Sequence, residues 1–277
     1  MAKRYYFLTS EIVPFAETYE LATFSKEFPN VFIERKEDFR VMMPKYEFIS
    51  ERRYILREVI RLREMEVEFK GMKLKAAVKS AFIPNTKVQV YFLENESYYS
   101  PKDPEQLYEE IEDNEDTRNY NRFGYFAVSS LVTLEYLRWK PEIIICNDWQ
   151  MALLPFYLRK GLVKNDFASE AKLVYVVHSR SEKALYPIDF FEQIGVKDMD
   201  DKFVVNGKVD ISLLAMSLAD NIIFVDIQGT NSYSQYSRNT IYKKVTKGKP
   251  VTKLSVKDVE DPDEWQKVAD EFAAAIE

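Results

Sequence analysis

Residues 139–150 read Trp139-Lys140-Pro141-Glu142-Ile143-Ile144-Ile145-Cys146-Asn147-Asp148-Trp149-Gln150. The run 143–146 is short, unbroken and rich in branched side chains, which reads as a strand buried on both faces, the habit of parallel sheets. Asn147 and Asp148 close it, and residues 149–158 follow as a helix candidate. The same pattern recurs on either side. Apolar runs stand at 5–8, 39–43 and 88–93 before it, and at 173–177 and 222–225 after it. Between 117 and 138 the residues Tyr120, Phe123, Ala127, Leu131, Leu134 and Leu137 fall at three- and four-residue steps, the stripe of a buried helix face. Residues 211–218 form a shorter helix candidate. Strands alternating with helices predict a doubly wound, mostly parallel α/β sheet.

Two regions depart from the alternation. Residues 66–83 alternate apolar and polar around Lys70-Gly71, which predicts an antiparallel hairpin inserted beside the sheet. After Asp226 the chain turns polar and then basic, with Lys243, Lys244, Lys247 and Lys249. It closes on a helix candidate, 262–276, with Pro262 in the first turn and Trp265, Val268, Phe272 and Ile276 on one face. The boundaries read from this are a sheet domain over 1–227 and a polar, basic extension with a terminal helix over 228–277.

The composition is that of a globular chain: 277 residues, 46% hydrophobic and 30% charged. The 39 basic and 45 acidic residues leave a net charge of −6, which argues against nucleic acid as the main partner. One cysteine, Cys146, allows no internal disulfide and fits a reducing compartment. No apolar run reaches the ~20 residues of a membrane span or the ~7–15 of a signal-peptide core. The expectation is a cytoplasmic protein with no membrane partner. The single histidine, His178, and the single cysteine have no third ligand at suitable spacing, so no metal is expected.

Glycine is scarce where nucleotide chemistry would want it. None of the 7 glycines lies between Leu8 and Leu21, the turn after the first strand, where a bound phosphate needs close backbone approach. Neither G-x-G-x-x-G nor G-x-x-x-x-G-K-[ST] occurs, which argues against a dinucleotide dehydrogenase or a P-loop nucleotidase and leaves no cofactor expected.

Four motifs, in order and at matching spacing, resemble the bacterial glycogen and starch synthases. They are Ser10-Glu11-Ile12-Val13-Pro14-Phe15-Ala16, Val41-Met42-Met43-Pro44-Lys45-Tyr46, Asn121-Arg122-Phe123 with Phe126, and residues 139–144 running into Asp148-Trp149-Gln150. The resemblance covers about residues 3–225. It implies a Rossmann-like sheet domain, the amino-terminal half of the two-domain GT-B fold. It also implies membership of a retaining glycosyltransferase family that moves glucose from ADP-glucose to the end of an α-1,4-glucan. Residues 226–277 are too few for the family's second sheet domain, so the chain is expected to hold the first half only. Residues 46–65 also resemble short stand-alone relatives of that half.

The resemblance fails at the first loop. Where the family carries a Lys, a Thr and two Gly, this chain has Glu17, Thr18, Tyr19 and Glu20. A carboxylate facing a diphosphate replaces attraction by repulsion, roughly 4 kcal/mol for unit charges about 4 Å apart at an intermediate dielectric. The resemblance further implies sugar or acceptor contacts at Asp148 and His178, with Asn147 and Trp149 beside Asp148. Asn147 stands where the family usually has His; Ser179 follows His178, and Arg180-Ser181-Glu182-Lys183 replaces the family's glycine-bearing continuation. Each candidate also has a plain structural reading: Asp148 as the N-cap of the following helix, His178 as a histidine bonded to a nearby carbonyl. No residue is assigned as catalytic.

Three functions stay open on these residues. One is a glycosyltransferase completed by a partner subunit carrying the missing half. Another is a non-catalytic, glucan-binding or regulatory pseudoenzyme. The third is an unrelated small-molecule enzyme on a re-used sheet. The expected absence of the second half and the reversed charge of the loop together favour the second for the isolated chain, with α-glucan metabolism as its setting.

Overall fold

A computed structural model describes residues 2–101 and 103–277. In chain order its first half comprises β1 (Arg4–Leu8), α1 (Leu21–Glu34), β2 (Asp38–Pro44), α2 (Glu51–Tyr54), β3 (Arg57–Glu58), β4 (Met65–Phe69), β5 (Met72–Phe82), β6 (Gln89–Glu94) and α3 (Asn119–Leu137). Then come β7 (Ile143–Asn147), α4 (Leu153–Arg159), β8 (Lys172–Val177), β9 (Leu185–Pro187), α5 (Ile188–Gln193), β10 (Val204–Val205), β11 (Lys208–Asp210) and α6 (Ile211–Leu218). The chain ends with β12 (Asn221–Ile227), α7 (Ser232–Ser237), α8 (Thr240–Val245), β13 (Val251–Val256) and α9 (Pro262–Ala275).

The main sheet runs β13-β12-β8-β7-β1-β2-β6-β5-β3, with β4 paired to β5. From β13 to β6 every pairing is parallel; Phe7 lies between Val41 of β2 and Ile145 of β7. The six apolar runs marked in the sequence fall on these parallel strands, Val88 one residue ahead of β6, and burial on both faces keeps the innermost unbroken: Ile143–Asn147 is buried at every position. At the β6 edge the sheet turns antiparallel, with Val78 of β5 opposite Leu93. The hairpin forms as expected, its Lys70 and Gly71 both at positive φ (52° and 73°), the backbone of a tight two-residue turn.

Helices cover both faces. α3 differs from an ordinary amphipathic helix, because Asn121, Arg122, Ser129, Ser130 and Thr133 are buried along with its apolar stripe. The hairpin lies over its outer side: a Cβ on Gly124 would meet Phe190 at 3.0 Å and Phe69 at 3.1 Å, so only glycine lets the two rings approach. The segment 149–158, expected as one helix, is a single turn over Trp149–Met151 followed by α4. Beyond 227 the structure adds an edge strand absent from the sequence reading: β13 pairs in parallel with β12, Phe224 opposite Lys253. The terminal helix α9 lays Phe272 against Phe28 and Phe32 of α1, ring centroids 4.9 and 6.1 Å apart. Cys146 sits fully buried in β7, opposite Leu8 on one side and Tyr175 on the other. No helix among the described residues is long and apolar enough to cross a membrane.

Candidate functional site

β1, β7 and β8 are neighbours and run the same way, so their carboxyl ends at Leu8, Asn147 and Val177 open onto one edge. The chain leaves β1 toward β2 on one side and later returns to β7 on the other. The strand order therefore reverses between β1 and β7, the position where open α/β sheets hold their ligands. The amide of Asn147 crosses this divide and donates to the Leu8 carbonyl at 2.9 Å.

Asp148 follows at once, with φ 56° and ψ −170°, a backbone region nearly reserved for glycine. Its side chain does not cap the turn that follows. Instead Oδ1 accepts the backbone N–H groups of His178 and Ser179, each at 3.2 Å, and Oδ2 accepts the Ser179 hydroxyl at 2.6 Å. The carboxylate thus ties the end of β7 to the end of β8, and these bonds hold the strained backbone in place. It is fully buried, and desolvation raises its pKa against the opposing effect of those hydrogen bonds.

His178 is 5% exposed, its ring edge-on to Phe24 at 4.8 Å, with Nε2 3.4 Å from Asn147 Oδ1. Burial lowers its pKa to about 3, so the ring is neutral at ordinary pH. Trp149 is buried between Tyr108 and Phe123, both 5.3 Å away edge-on. The structure therefore brings Asn147, Asp148, Trp149 and His178 to one place and closes all four off from solvent.

The loop between β1 and α1 does the closing. Glu11 is fully buried and points back into its own loop, where Oε1 accepts the Thr18 hydroxyl at 2.7 Å. The Thr18 backbone N–H and the Tyr108 hydroxyl also donate to this carboxylate. Ser10 completes the clasp through its hydroxyl, 2.8 Å from that of Tyr108. Desolvation is the largest influence on Glu11 and raises its pKa to about 7. With Thr18 fixed, Tyr19 reaches inward: its hydroxyl donates to Asp148 Oδ2 at 2.8 Å and accepts from Gln150 Nε2 at 3.1 Å. Glu17 is exposed on the rim, and Glu20 stands at the amino end of α1, where Phe24 N–H meets its carbonyl at 3.0 Å. The Glu20 side chain makes no capping bond to the helix.

Sequence reasoning missed Glu11, Gln150 and Ser179 as working parts although the first two lie inside quoted motifs. Tyr108 had no signal at all, since it sits in the irregular stretch before α3. Chemically, the arrangement is a neutral imidazole, two carboxyls and two phenols, with every carboxylate oxygen already bonded. Beside Tyr108 a cavity of about 540 Å³ stays open, lined by Glu109, Asn119, Tyr120, Glu182 and Lys183 among others. Among the described residues no group of three or more His, Cys, Asp and Glu is placed to hold a metal ion.

Comparison with known proteins gives concordant matches. Residues 4–231 match the model of the starch synthase catalytic domain. A glycogen synthase of Chlorobium phaeobacteroides is 34% identical over 198 residues, 70% of this chain and 40% of that protein. One of Chlorobaculum parvum is 32% identical over 238 residues, 84% of this chain and 47% of that protein. The chain thus spans less than half the length of these curated relatives. In structure it matches the catalytic domain of starch synthase IV from Arabidopsis thaliana, solved bound to ADP and acarbose. The TM-score is 0.68 at 19% identity, over 89% of this chain and 48% of that one, a likeness of fold.

Proposed function

Because the chain belongs to the starch synthase catalytic-domain family, we propose that it serves α-1,4-glucan metabolism as a glycosyltransferase-type domain whose own loop occupies the sugar crevice, so that this chain does not take up ADP-glucose unaided. The family's transfer of glucose to a glucan end is the parent activity. In this chain the surviving role is on the glucan side, as a binding or regulatory module.

One observation carries the reading: the Tyr19 hydroxyl sits on Asp148, where a sugar hydroxyl would otherwise be held. The rest of the loop is consistent with it. Glu11 clasps Thr18, which fixes Tyr19 at the crevice, and Glu17 and Glu20 present negative charge where a diphosphate would approach. A donor would have to displace a phenol hydrogen-bonded to Asp148 and Gln150 and sit against two carboxylates. Asp148, His178 and Asn147 retain the polar groups that could hold a sugar once that phenol moves. The Arabidopsis starch synthase IV domain, solved with ADP and acarbose, supplies two ligands to test beside the donor.

Isothermal titration with ADP-glucose is expected to give no heat for the 277-residue chain at donor concentrations up to millimolar. The combined variant Glu17→Lys, Tyr19→Gly, Glu20→Gly is expected to bind measurably. Glycogen pull-down should retain both proteins, and labelled glucose should not reach glycogen with the unmodified chain. Micromolar ADP-glucose affinity in the unmodified chain overturns the closed-crevice reading, and loss of glycogen retention overturns the glucan-side role.

A further inference from the structure

The arginines of residues 52–63 alternate with glutamates, a pattern that suggests a face laced with salt bridges. The structure distributes the charges otherwise. Among the described residues only Arg63 pairs locally, with Glu58 at 3.0 Å, while Glu51 turns away to Lys79 at 2.8 Å. Arg53 lies over the Tyr54 ring, 5.2 Å from its centroid. Arg52, Arg57 and Arg61 are exposed and make no ion pair or side-chain hydrogen bond among the described residues.

The same edge of the sheet carries large exposed apolar side chains. Ile55 is 66% exposed, Ile60 76% and Phe82 57%. The β3–β5 register sets Arg57 opposite Ser80, and continuing it by two residues brings Ile55 across from Phe82. Ile55 also holds φ 54°, a left-handed conformation that a β-branched residue adopts at a cost. Free arginines around exposed apolar side chains fit a protein interface, whose composition is enriched in arginine and aromatic residues around an apolar core.

This chain carries the complement. Residues 103–116 hold Asp103, Glu105, Glu109, Glu110, Glu112, Asp113, Glu115 and Asp116 with no basic residue between them. In their midst Ile111 is 61% exposed, and Glu112 and Asp113 beside it are exposed without an ion pair among the described residues. Glu109 and Glu110 are engaged by Lys183 and Arg118. The acidic segment thus offers an apolar tip flanked by free carboxylates, opposite in sign to the arginine edge.

We propose that a second copy of this chain docks on the arginine edge through its acidic segment, with Ile111 set among Ile55, Ile60 and Phe82 and with Glu112 and Asp113 facing Arg52, Arg57 and Arg61. A two-fold arrangement closes the contact as a dimer, and a head-to-tail one extends it. In both, the contact is charge-driven and weakens with salt, since exposed charges are screened beyond about 10 Å at 0.1 M ionic strength.

Sedimentation velocity and light scattering on the full chain between 1 and 100 µM test this. At 50 mM salt the expected mass exceeds the monomer and grows with concentration, and at 500 mM salt it returns toward the monomer. The charge reversal Arg52→Glu, Arg57→Glu, Arg61→Glu should weaken association more than tenfold, as should Ile111→Ser. These side chains are exposed, so circular dichroism should be unchanged. Adding Glu112→Lys and Asp113→Lys to the reversed chain should restore association. A monomer at 100 µM in 50 mM salt overturns the proposal, as does an Arg-reversed chain that associates like the original.

Discussion

Glu11 and His178 are both buried beside the crevice, and burial moves their pKa values in opposite directions. Folded Glu11 is raised from 4.5 to about 7, so the native state holds its proton more tightly than the unfolded chain. Its contribution to stability is complete below pH 4.5 and is lost as pH rises through about 7, on the order of 3 kcal/mol in all. Folded His178 is lowered from 6.5 to about 3, so protons bind the unfolded chain more readily. That contribution is complete above pH 6.5 and is lost as pH falls toward 3. The two oppose each other between 4.5 and 6.5, and single variants separate them. In thermal melts, Glu11→Gln should lose less stability than the parent between pH 5 and 8. His178→Gln should lose less between pH 6.5 and 4. Parallel pH profiles for parent and variants would rule out this account of the crevice.

At the scale of elements, α9 is the piece whose role is least evident from its position in the chain. Asp261 caps it by accepting the Asp263 N–H at 2.9 Å, Pro262 opens it, and Trp265, Val268, Ala269 and Phe272 are its buried face. That face meets α1 through the Phe28–Phe272 contact and through Trp265, 6.2 Å from Phe24. Phe24 in turn walls His178, so the last helix supports the crevice at one remove. Phe272→Ala is expected to lower unfolding stability by about 3–5 kcal/mol in urea titration, the cost of an emptied aromatic site. A loss under 1 kcal/mol would mean α9 is not part of the packed structure. The helix itself was legible because its cap, proline and apolar stripe are local signals. β13 was not: Val251–Val256 is short, has only Leu254 and Val256 buried and lies in a lysine-rich stretch, so no unbroken apolar run marks it, and pairing with β12 makes it a strand. The central strands were legible because burial on both faces leaves an unbroken apolar run. The crevice was legible as a set of positions, since Asp148 and His178 follow two such runs. Its closure was not, because the bonds from Tyr19 to Asp148 and from Tyr108 to Glu11 span 129 and 97 residues.

Across the whole molecule, the last helix packs back on the first. β1 lies at the centre of the sheet, β13 at its rim, and α9 returns to cover α1. Lys172 at the start of β8 donates to the carbonyl of Ile276, and the Asn221 amide at the start of β12 donates to that of Ala275 at 2.7 Å. Residues 228–277 and the central strands are expected to melt together in one calorimetric transition, and two separated transitions would show the tail to be an independent unit. Cys146 gives this cooperativity a chemical readout. Its thiol lies in β7, between β8 and β1, with no exposure, and burial raises its pKa, so a thiol reagent meets neither an accessible nor an ionised sulfur until β7 leaves its neighbours. As the sequence holds no other cysteine, alkylation becomes a one-atom clock. Its rate in native buffer times the opening of the sheet, and a cysteine introduced at the loop tip would report the crevice against that silent background.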